Sequence, residues 1–278
     1  MIIWIASYPK SGNTWVRAFL TSYYFTDDGT FDPKNLKQIP DYPNKQIIGK
    51  QSLPENTIHL YWKDSQEKFI KDNKVRFLKT HNALLSIGDH HFTTSKTTIG
   101  VIYVIRDPRN VITSIKNHMD LENYDEAFTY MTDRNKVGHR TKNNNVSSQF
   151  ISSWRVNYIS WFKSKFKKLI IRYEDMINKP DETFKKIVLF VNTISNHEKI
   201  VDEKKLKKAI ATTNFENMKK SEEKGDFKES LFSEKKKEKI KFFFLGPKNN
   251  WKEKLDSNLI NKMNSYYKAD LFDLGYEN

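Results

Sequence analysis

The segment of this chain best suited to chemistry is residues 8–15, which read Tyr-Pro-Lys-Ser-Gly-Asn-Thr-Trp. It follows an apolar run at residues 2–6 that is rich in β-branched side chains, and such a run predicts a buried strand. It leads into an amphipathic pattern that predicts a helix from Thr14 onward. The free backbone N–H groups and the dipole of a helix N-terminus favour an anion there. Lys10, Ser11 and Thr14 add one positive charge and two hydroxyl groups, so the loop predicts a phosphate site.

This loop differs from the common nucleoside-triphosphate loop, G-x-x-x-x-G-K-[ST], in which the lysine follows the second glycine. Here Lys10 precedes the only glycine of the loop. A nucleotide kinase of the P-loop class therefore stays a less favoured alternative. It would need a Gly-Lys-[Ser/Thr] step and an acidic magnesium ligand at a strand end, and the sequence contains neither at the expected place.

A second anion site is predicted where the apolar run at residues 101–105 ends. Arg106 follows that run directly, and Ser114 lies eight residues further on, within a predicted helix. Ligands of open α/β sheets bind outside the carboxyl ends of the strands. An arginine at a strand end and a serine on the following helix therefore predict a site for a phosphate group.

A candidate general base ends a third apolar run, in the segment Phe77-Leu78-Lys79-Thr80-His81. An unperturbed imidazole titrates near pH ~6.5, so His81 can accept a proton at neutral pH. His90, His91 and His118 are weaker candidates, because they do not end a predicted strand beside the two loops.

These three segments resemble the cytosolic sulfotransferases, which transfer a sulfuryl group from 3′-phosphoadenosine-5′-phosphosulfate (PAPS) to a hydroxyl or an amine. Residues 8–15 resemble the phosphosulfate-binding loop of that family. Arg106-Asp-Pro with Ser114 is similar to its 3′-phosphate motif, and residues 79–81 are similar to its Lys-Thr-His segment, in which the histidine is the general base. The resemblance extends over residues 1–255 in the family's order.

Three weaker matches support the resemblance. Residues 172–176, Arg-Tyr-Glu-Asp-Met, resemble the family's Tyr-Glu-Asp segment, which implies Tyr173 near the adenine. Residues 213–218 resemble a Thr-Ser-Phe-x-x-Met segment, whose threonine and phenylalanine contact the base, with Trp15 on the other side of the ring. Residues 153–161 are similar to a Ser-Trp-x-x-His-x-x-x-Trp helix, but Asn157 replaces the histidine, and we interpret that stripe as core packing.

The resemblance implies a full set of roles. His81 removes the acceptor proton, Lys10 offsets negative charge on the bridging oxygen, and Lys79 assists. PAPS is the donor, and no metal is expected. The acceptor is a small molecule or a glycan, with residues 26–73, 86–98 and 123–148 lining its pocket. The implied donor-binding residues are Lys10, Ser11, Gly12, Asn13, Thr14, Trp15, Arg106, Ser114, Tyr173, Thr213, Phe215 and Gly246.

The sequence departs from the family near its C-terminus. The family carries Arg-Lys-Gly-x-x-Gly-Asp-Trp-Lys, whereas residues 244–252 read Phe-Leu-Gly-Pro-Lys-Asn-Asn-Trp-Lys. Phe244 and Leu245 thus replace a basic pair, and one expected contact to the 3′-phosphate is in doubt. The family's short dimerisation motif is also missing, so the sequence leaves the oligomeric state open.

The elements that must position these residues follow from the apolar patterns. Strand-like runs at residues 2–7, 75–79, 99–105 and 169–173 are separated by helical patterns, which predicts a three-layer α/β fold with a central parallel sheet flanked by helices. The length of 278 residues favours one domain over residues 1–278. Further helical patterns begin near 64, 110, 149, 180 and 257. The Lys/Glu-rich segment 221–241 predicts either a solvated linker or a mobile lid anchored by Phe227 or Phe232.

Composition limits the remaining function classes. The formal net charge of +14 favours an anionic partner, but only eight of the 48 basic residues are arginine. A drift towards lysine explains most of that charge, and no nucleic-acid-binding motif is recognisable, so a nucleic-acid-binding protein is a second, less favoured alternative. The absence of cysteine excludes disulfides and cysteine nucleophiles. No signal peptide or membrane-spanning stretch is recognisable, so the protein is expected to be soluble and cytoplasmic.

Overall fold

The computed structural model describes residues 1–50, 55–138, 147–227, 231–233 and 237–276. The chain divides into two compact units. The sheet unit comprises Met1–Ile105 and Arg134–Thr213, and the helical unit comprises Arg106–Asp133 and Asn214–Asn278. The expectation of one domain over residues 1–278 stays a prediction.

The secondary structure alternates between strands and helices along the sheet unit and is mainly helical in the other unit. In chain order, the strands are β1 (Ile2–Ser7), β2 (Arg76–Thr80), β3 (Ser86–Ile87), β4 (His90–His91), β5 (Thr98–Ile105), β6 (Val137–Gly138), β7 (Gln149–Phe150), β8 (Lys168–Arg172), β9 (Leu231–Ser233) and β10 (Glu238–Ile240). The α-helices are α1 (Asn13–Phe25), α2 (Lys45–Ile48), α3 (Trp62–Phe69), α4 (Pro108–His118), α5 (Tyr124–Thr132), α6 (Trp154–Phe162), α7 (Tyr173–Asn178), α8 (Pro180–Ile194), α9 (Glu203–Thr212), α10 (Phe215–Glu223), α11 (Trp251–Lys254), α12 (Ser257–Tyr266) and α13 (Lys268–Asp273). Short 3₁₀ helices span Pro33–Gln38, Glu55–Tyr61 and Gly246–Lys248.

The core of the sheet unit is a four-stranded sheet in the order β2-β1-β5-β8, with every neighbouring pair parallel. Each of these strands lies within one residue of its predicted bounds at both ends. Helices flank the sheet, so the predicted α/β fold with a central parallel sheet is confirmed. The carboxyl ends of β1, β2 and β5 therefore meet at one edge of the sheet, where parallel α/β folds bind their ligands.

Apolar side chains cover both faces of this sheet. On one face, strand residues pack against α1, α8 and α9 in a buried cluster that includes Ile3, Ile5, Phe77, Ile102, Val104, Val16, Phe19, Phe184, Val188 and Leu206. On the other face, the ring of Trp4 lies 5.1 Å from Phe92 and 6.5 Å from Trp161 of α6. Fully burying such a side chain stabilises the fold by roughly 1.5–3 kcal/mol. Packing on both faces therefore holds the sheet rigidly, and with it the residues at the ends of its strands.

Two predicted helices differ from the structure. The pattern that begins near residue 149 is helical only from Trp154, because Ser153 accepts a hydrogen bond from the N–H of Val156 and caps the helix there. Gln149 and Phe150 instead form β7, which pairs with β6. The pattern from residue 257 contains two helices, since the backbone at Tyr267 leaves helical geometry between α12 and α13.

The helical unit holds the segment predicted as a linker or lid. β9 and β10 form an antiparallel hairpin in it, and residues 228–230 and 234–236 lie outside the described residues. Phe227 is buried, with its ring 5.1 Å from Phe242 and 4.9 Å from Phe243, whereas Phe232 is 52% exposed. Phe227 is thus packed against aromatic side chains that follow in the chain, and the choice between a linker and a lid stays a prediction.

The helices are short or carry charged side chains along their length. Within the described ranges, none of them is long and apolar enough to span a membrane. The cytoplasmic location stays a prediction.

Candidate active site

The predicted phosphate loop connects β1 to α1 through a tight turn. Lys10 and Gly12 both have left-handed backbone conformations, with φ of 65° and 103°. A Cβ atom on residue 12 would lie 2.6 Å from Cδ2 of Tyr173, so this position requires glycine for both conformation and space. The loop therefore has one defined shape at the N-terminus of a 13-residue helix.

The side chains of this loop divide into those that hold it and those that can bind. Asn13 donates to the carbonyl of Ile5 at 2.9 Å and to Oγ of Ser7 at 3.2 Å, so its amide ties the helix start to β1. The Ser11 hydroxyl is buried and has no hydrogen-bond partner among the described residues. Buried polar groups are almost always paired, so this hydroxyl is suited to a ligand oxygen. Lys10 is partly exposed.

His81 lies directly after β2 and is held through its ring. Its Nδ1 is 2.8 Å from the carbonyl oxygen of Ser7, the last residue of β1. Because a carbonyl can only accept a hydrogen bond, Nδ1 must carry the proton. In the neutral imidazole the lone pair is then on Nε2, which is the nitrogen that can act as a base.

The backbone of His81 is held by two buried amides. Its N–H donates to Oε1 of Gln149 at 2.7 Å, and its carbonyl accepts from Nδ2 of Asn157 at 2.9 Å. Asn157 is fully buried and accepts from the hydroxyl of Tyr103 at 2.7 Å; burial raises the pKa of that tyrosine, so it remains a donor. Sequence reasoning missed Gln149 and treated Asn157 as core packing. One feature of the sequence could have identified Asn157: it is a polar residue at the position where the family carries histidine. No such feature marked Gln149.

Lys79 is almost fully buried and forms an ion pair. Its Nζ lies 2.9 Å from Oδ1 of Asp41, and Oδ2 of Asp41 is 3.7 Å from Nη1 of Arg17 on α1. The backbones of Asp41 and Lys79 also pair as an isolated parallel bridge. Sequence reasoning did not identify Asp41. That Lys79 assists catalysis stays a prediction, and the structure adds that a carboxylate holds its ammonium group.

The residues expected near the adenine within the sheet unit lie around α1 and the end of α9. The Trp15 ring meets Tyr173 edge-on, with centroids 6.1 Å apart, and Tyr173 is largely buried. Thr213 is fully buried, and its hydroxyl donates to the carbonyl of Ala209 at 2.7 Å. The proton of that hydroxyl is therefore used within the protein, and only its lone pairs remain for a base. The roles of these residues stay predictions.

The helical unit brings together the two residues predicted to hold a 3′-phosphate. Nη1 of Arg106 lies 3.4 Å from Oγ of Ser114 on α4. Gly246 has a φ of 54°, and a Cβ atom there would collide with the ring of Phe215, so the ring packs closely against this glycine. Asn249, which sequence reasoning did not identify, also reaches Ser114, with its Nδ2 3.4 Å from Oγ.

The described acidic and histidine side chains are too dispersed to form a metal site of the usual kind. In the part of the chain that the structure describes, no group of three or more His, Asp and Glu side chains is placed to hold a metal ion. That the reaction needs no metal stays a prediction.

The family model and two curated relatives that match this chain are sulfotransferases. A family model described as a sulfotransferase domain matches residues 2–275. Sulfotransferase 1B1 of dog (Canis lupus familiaris) is 27% identical over 217 residues, which cover 77% of this chain and 65% of the dog protein, slightly under two thirds of its length. Luciferin sulfotransferase of the firefly Photinus pyralis is 23% identical, with 96% of this chain and 70% of that protein aligned.

The fold is also similar to that of solved structures. A crystal structure of retinol dehydratase in complex with retinol and PAP superposes with a TM-score of 0.59 and 17% identity, covering 97% of this chain and 81% of that one. At this identity the similarity concerns the fold alone.

Proposed function

We propose, from the premise that this chain belongs to the sulfotransferase domain family, that it is an enzyme which transfers a sulfuryl group from PAPS to a hydroxyl or amine of a small-molecule acceptor. One observation carries the proposal. Ser7 binds Nδ1 of His81 through its carbonyl and also accepts from Asn13 of the phosphate loop through its hydroxyl. The candidate base and the loop are therefore held by the same residue at the end of β1.

In the proposed reaction the acceptor oxygen or nitrogen attacks sulfur in line with the bond to the 5′-phosphate. Nε2 of His81 takes the acceptor proton while the new bond to sulfur forms. The bond between sulfur and the bridging oxygen breaks, and adenosine 3′,5′-bisphosphate (PAP) leaves with the bonding electrons. A positioned general base of this kind contributes typically ~10²–10⁴-fold to the rate.

The phosphate loop supplies the electrostatic part of the proposal. Backbone N–H groups at the start of α1 and the Ser11 hydroxyl would hold the 5′-phosphate. Lys10 would offset the negative charge that develops on the bridging oxygen, as fixed cations do in phosphoryl transfer. Support for the donor comes from the retinol dehydratase structure, which contains PAP.

We propose a ring-bearing small molecule as the acceptor. Three partly exposed rings lie together in the sheet unit: the His59 ring centroid is 5.5 Å from that of His90 and 6.4 Å from that of Phe150. Phe150 follows Gln149, which binds His81, and its carbonyl accepts from the N–H of Ala83 at 2.9 Å. The Phe150 ring is therefore held close in the structure to the segment that carries His81, because Gln149 and Phe150 bind the backbone of residues 81 and 83. Relatives whose names refer to luciferin and retinol support a small-molecule acceptor.

The experiment that tests this function supplies PAPS and a panel of phenols, alcohols and amines, and measures release of adenosine 3′,5′-bisphosphate. We expect acceptor-dependent release by the unmodified protein and little release by His81→Ala. Calorimetry with adenosine 3′,5′-bisphosphate runs beside it. Absence of both binding and release would overturn the proposal. The loop order, with Lys10 before Gly12, does not favour a nucleotide kinase, and the sequence contains no recognisable nucleic-acid-binding motif.

A further inference from the structure

A cavity of about 330 Å³ lies in the sheet unit, beside the amino-terminal ends of β5 and β8. Residues 164–166 line it just before β8 begins, and Thr93 lines it with its hydroxyl 2.7 Å from that of Thr98, the first residue of β5. The candidate base is at the opposite edge of the sheet, where His81 is bonded to Ser7 at the end of β1. Because β1 has six residues and a strand rises roughly 3.3 Å per residue, the two edges are more than ~15 Å apart.

The size and the apolar lining of this cavity suit a small molecule that contains a ring. Pockets for small molecules measure roughly 300–1,000 Å³ and are mostly apolar, so this cavity would hold one or two rings. Its apolar lining consists of Leu84, Leu85, Phe92 and Phe166. Phe92 is fully buried, and its ring centroid is 5.1 Å from that of Trp4. One wall of the cavity is therefore fixed by the aromatic core.

The polar lining of the cavity contains a cation and no carboxylate. Lys165 is exposed at the cavity, whereas Asp89 in the turn of the β3–β4 hairpin is not part of the lining. Oγ of Ser86 lies 2.6 Å from Nδ1 of His91, and this pair fixes the orientation of the His91 ring, whichever atom donates. A lining with a positive charge and several hydroxyl groups favours a ligand that carries a negative group.

Two walls of the cavity are fastened by hydrogen bonds within the protein. The N–H of Leu84 donates to the hydroxyl of Ser160 on α6 at 2.8 Å. The hydroxyl of Ser164 donates to the carbonyl of Trp161 at 2.7 Å, and its carbonyl accepts from Nζ of Lys168 at 2.6 Å. The cavity is therefore formed before any ligand arrives, which lowers the cost of ordering a binding site.

We infer that this cavity is a second binding site of the protein, for an aromatic carboxylate of one or two rings. The rings pack against Phe92 and Leu85, and the carboxylate lies at Lys165. The inference goes beyond the proposed function, because the cavity is at the opposite edge of the sheet from the candidate base. It also gives Ser95, within the segment 86–98 that the sequence analysis assigns to the acceptor pocket, a different role.

The test titrates the full chain with 2-naphthoate and with its neutral analogue 2-naphthamide, and measures dissociation constants by NMR. Excess adenosine 3′,5′-bisphosphate is present throughout, so that the phosphate loop does not bind the carboxylate. Lys165→Gln should weaken naphthoate binding roughly 5-fold, as expected for an exposed charged contact, and should leave naphthamide binding unchanged. Ser95→Trp should abolish binding of both compounds, because its indole occupies the cavity.

Lys163→Gln is the matched control, since it removes the same charge from an exposed lysine outside the lining. It should leave both dissociation constants unchanged, and equal melting temperatures of the three variants and the unmodified protein report correct folding. Equal weakening by Lys163→Gln and Lys165→Gln would overturn the inference, since only the general charge would then matter. Naphthoate binding that neither Lys165→Gln nor Ser95→Trp changes would place the ligand elsewhere and also overturn it. So would the absence of saturable binding at millimolar naphthoate, or naphthamide binding as tight as that of naphthoate.

Discussion

At the scale of single residues, the site depends on side chains whose hydrogen-bonding role is set by one partner. The carbonyl of Ser7 fixes which nitrogen of His81 carries the proton, and therefore which one can act as a base. Asp41 likewise fixes the ammonium group of Lys79. Because each side chain has a different partner, substitutions at neighbouring positions of the site should have different effects on turnover and on nucleotide binding.

His81→Ala should reduce turnover ~10²–10⁴-fold while leaving affinity for adenosine 3′,5′-bisphosphate nearly unchanged, because the base contacts the acceptor and not the nucleotide. Lys10→Ala should weaken both turnover and nucleotide binding. Steady-state kinetics and calorimetry on the two variants measure this difference. Near-normal turnover of His81→Ala with several acceptors would show that another group is the base.

Gly12→Ala should abolish nucleotide binding, because a left-handed residue with a Cβ costs roughly 1–3 kcal/mol and this Cβ would also collide with Tyr173. Gly49→Ala is the matched control. Gly49 has a comparable φ of 77°, but nothing lies within 4 Å of a Cβ there, so it carries the conformational cost without the collision. Urea unfolding should show a cost in both variants, and only Gly12→Ala should lose binding. Normal binding by Gly12→Ala would mean that the loop shape is not required.

At the scale of elements, the site is formed where strand ends meet segments that are distant in the chain. β7 and α6 supply the two amides that hold the backbone of His81, although sequence patterning predicted one uninterrupted helix there. The short strand is needed because Gln149 must lie beside the end of β2. β7 pairs with β6, and the side chain of Gln149 reaches the backbone of His81 from that strand.

Gln149→Ala should lower the catalytic constant of folded enzyme several-fold, because the N–H of His81 loses its acceptor and an unsatisfied buried donor costs about 1–3 kcal/mol. Gln66→Ala is a matched control: Gln66 is an equally buried glutamine whose amide donates to the carbonyl of Phe92. Both variants should lower the melting temperature. If turnover per folded molecule falls equally in both, Gln149 has no special role in placing His81.

The segment around the β9–β10 hairpin should gain hydrogen-exchange protection when adenosine 3′,5′-bisphosphate binds. Its described part is fastened by Phe227 and by Glu222, whose carboxylate accepts from the N–H groups of Phe242 at 2.6 Å and Phe243 at 3.0 Å. Exchange measured with the bisphosphate, with adenosine 5′-monophosphate and without ligand provides the comparison. Unchanged protection over residues 221–227 and 237–243 would favour the linker interpretation over the lid.

At the scale of the whole molecule, the net charge is a poor guide to the site. The excess of +14 comes mainly from lysines, whereas three of the cations at the candidate sites, Lys79, Arg17 and Arg106, are almost completely buried. A ligand that binds the native state and not the unfolded chain stabilises the protein, so a nucleotide bound at these cations should contribute to stability. The exposed lysines elsewhere on the surface need not contribute to ligand binding or to this gain in stability.

Saturating adenosine 3′,5′-bisphosphate should therefore raise the melting temperature by several degrees. A ligand at 100 times its dissociation constant stabilises the native state by about 2.7 kcal/mol, and each kcal/mol corresponds to roughly 2–4 °C in proteins of 150–250 residues. Differential scanning calorimetry with Arg106→Ala as control should give a much smaller shift at the same concentration. An equal shift from adenosine 5′-monophosphate in the unmodified protein would mean that the 3′-phosphate contributes nothing.

The parts of this protein that the sequence alone determined are those built from consecutive residues. A strand, a turn and a helix start lie within about a dozen residues, so the shape of the loop at residues 8–15 and the proximity of Arg106 to Ser114 could be predicted from local pattern. That these residues bind phosphate stays a prediction. The four strands of the sheet were predictable for the same reason, because burial on both faces leaves a continuous apolar run.

Only the tertiary structure decided which side chains hold those local features in place. Gln149 reaches His81 across 68 positions of the chain, Asn157 across 76, and Asn249 reaches Ser114 across 135. A single hydrogen bond between distant residues does not change the pattern of apolar and polar residues in either segment. Another polar residue at the same position would fit the local pattern equally well, so the pattern does not identify the partner. Asp41 lay in an irregular stretch for which pattern predicted no partner, and its pairing with Lys79 came from the path of the chain along the sheet edge. Residue types therefore indicated the chemistry, and long-range packing determined the geometry in which it can take place.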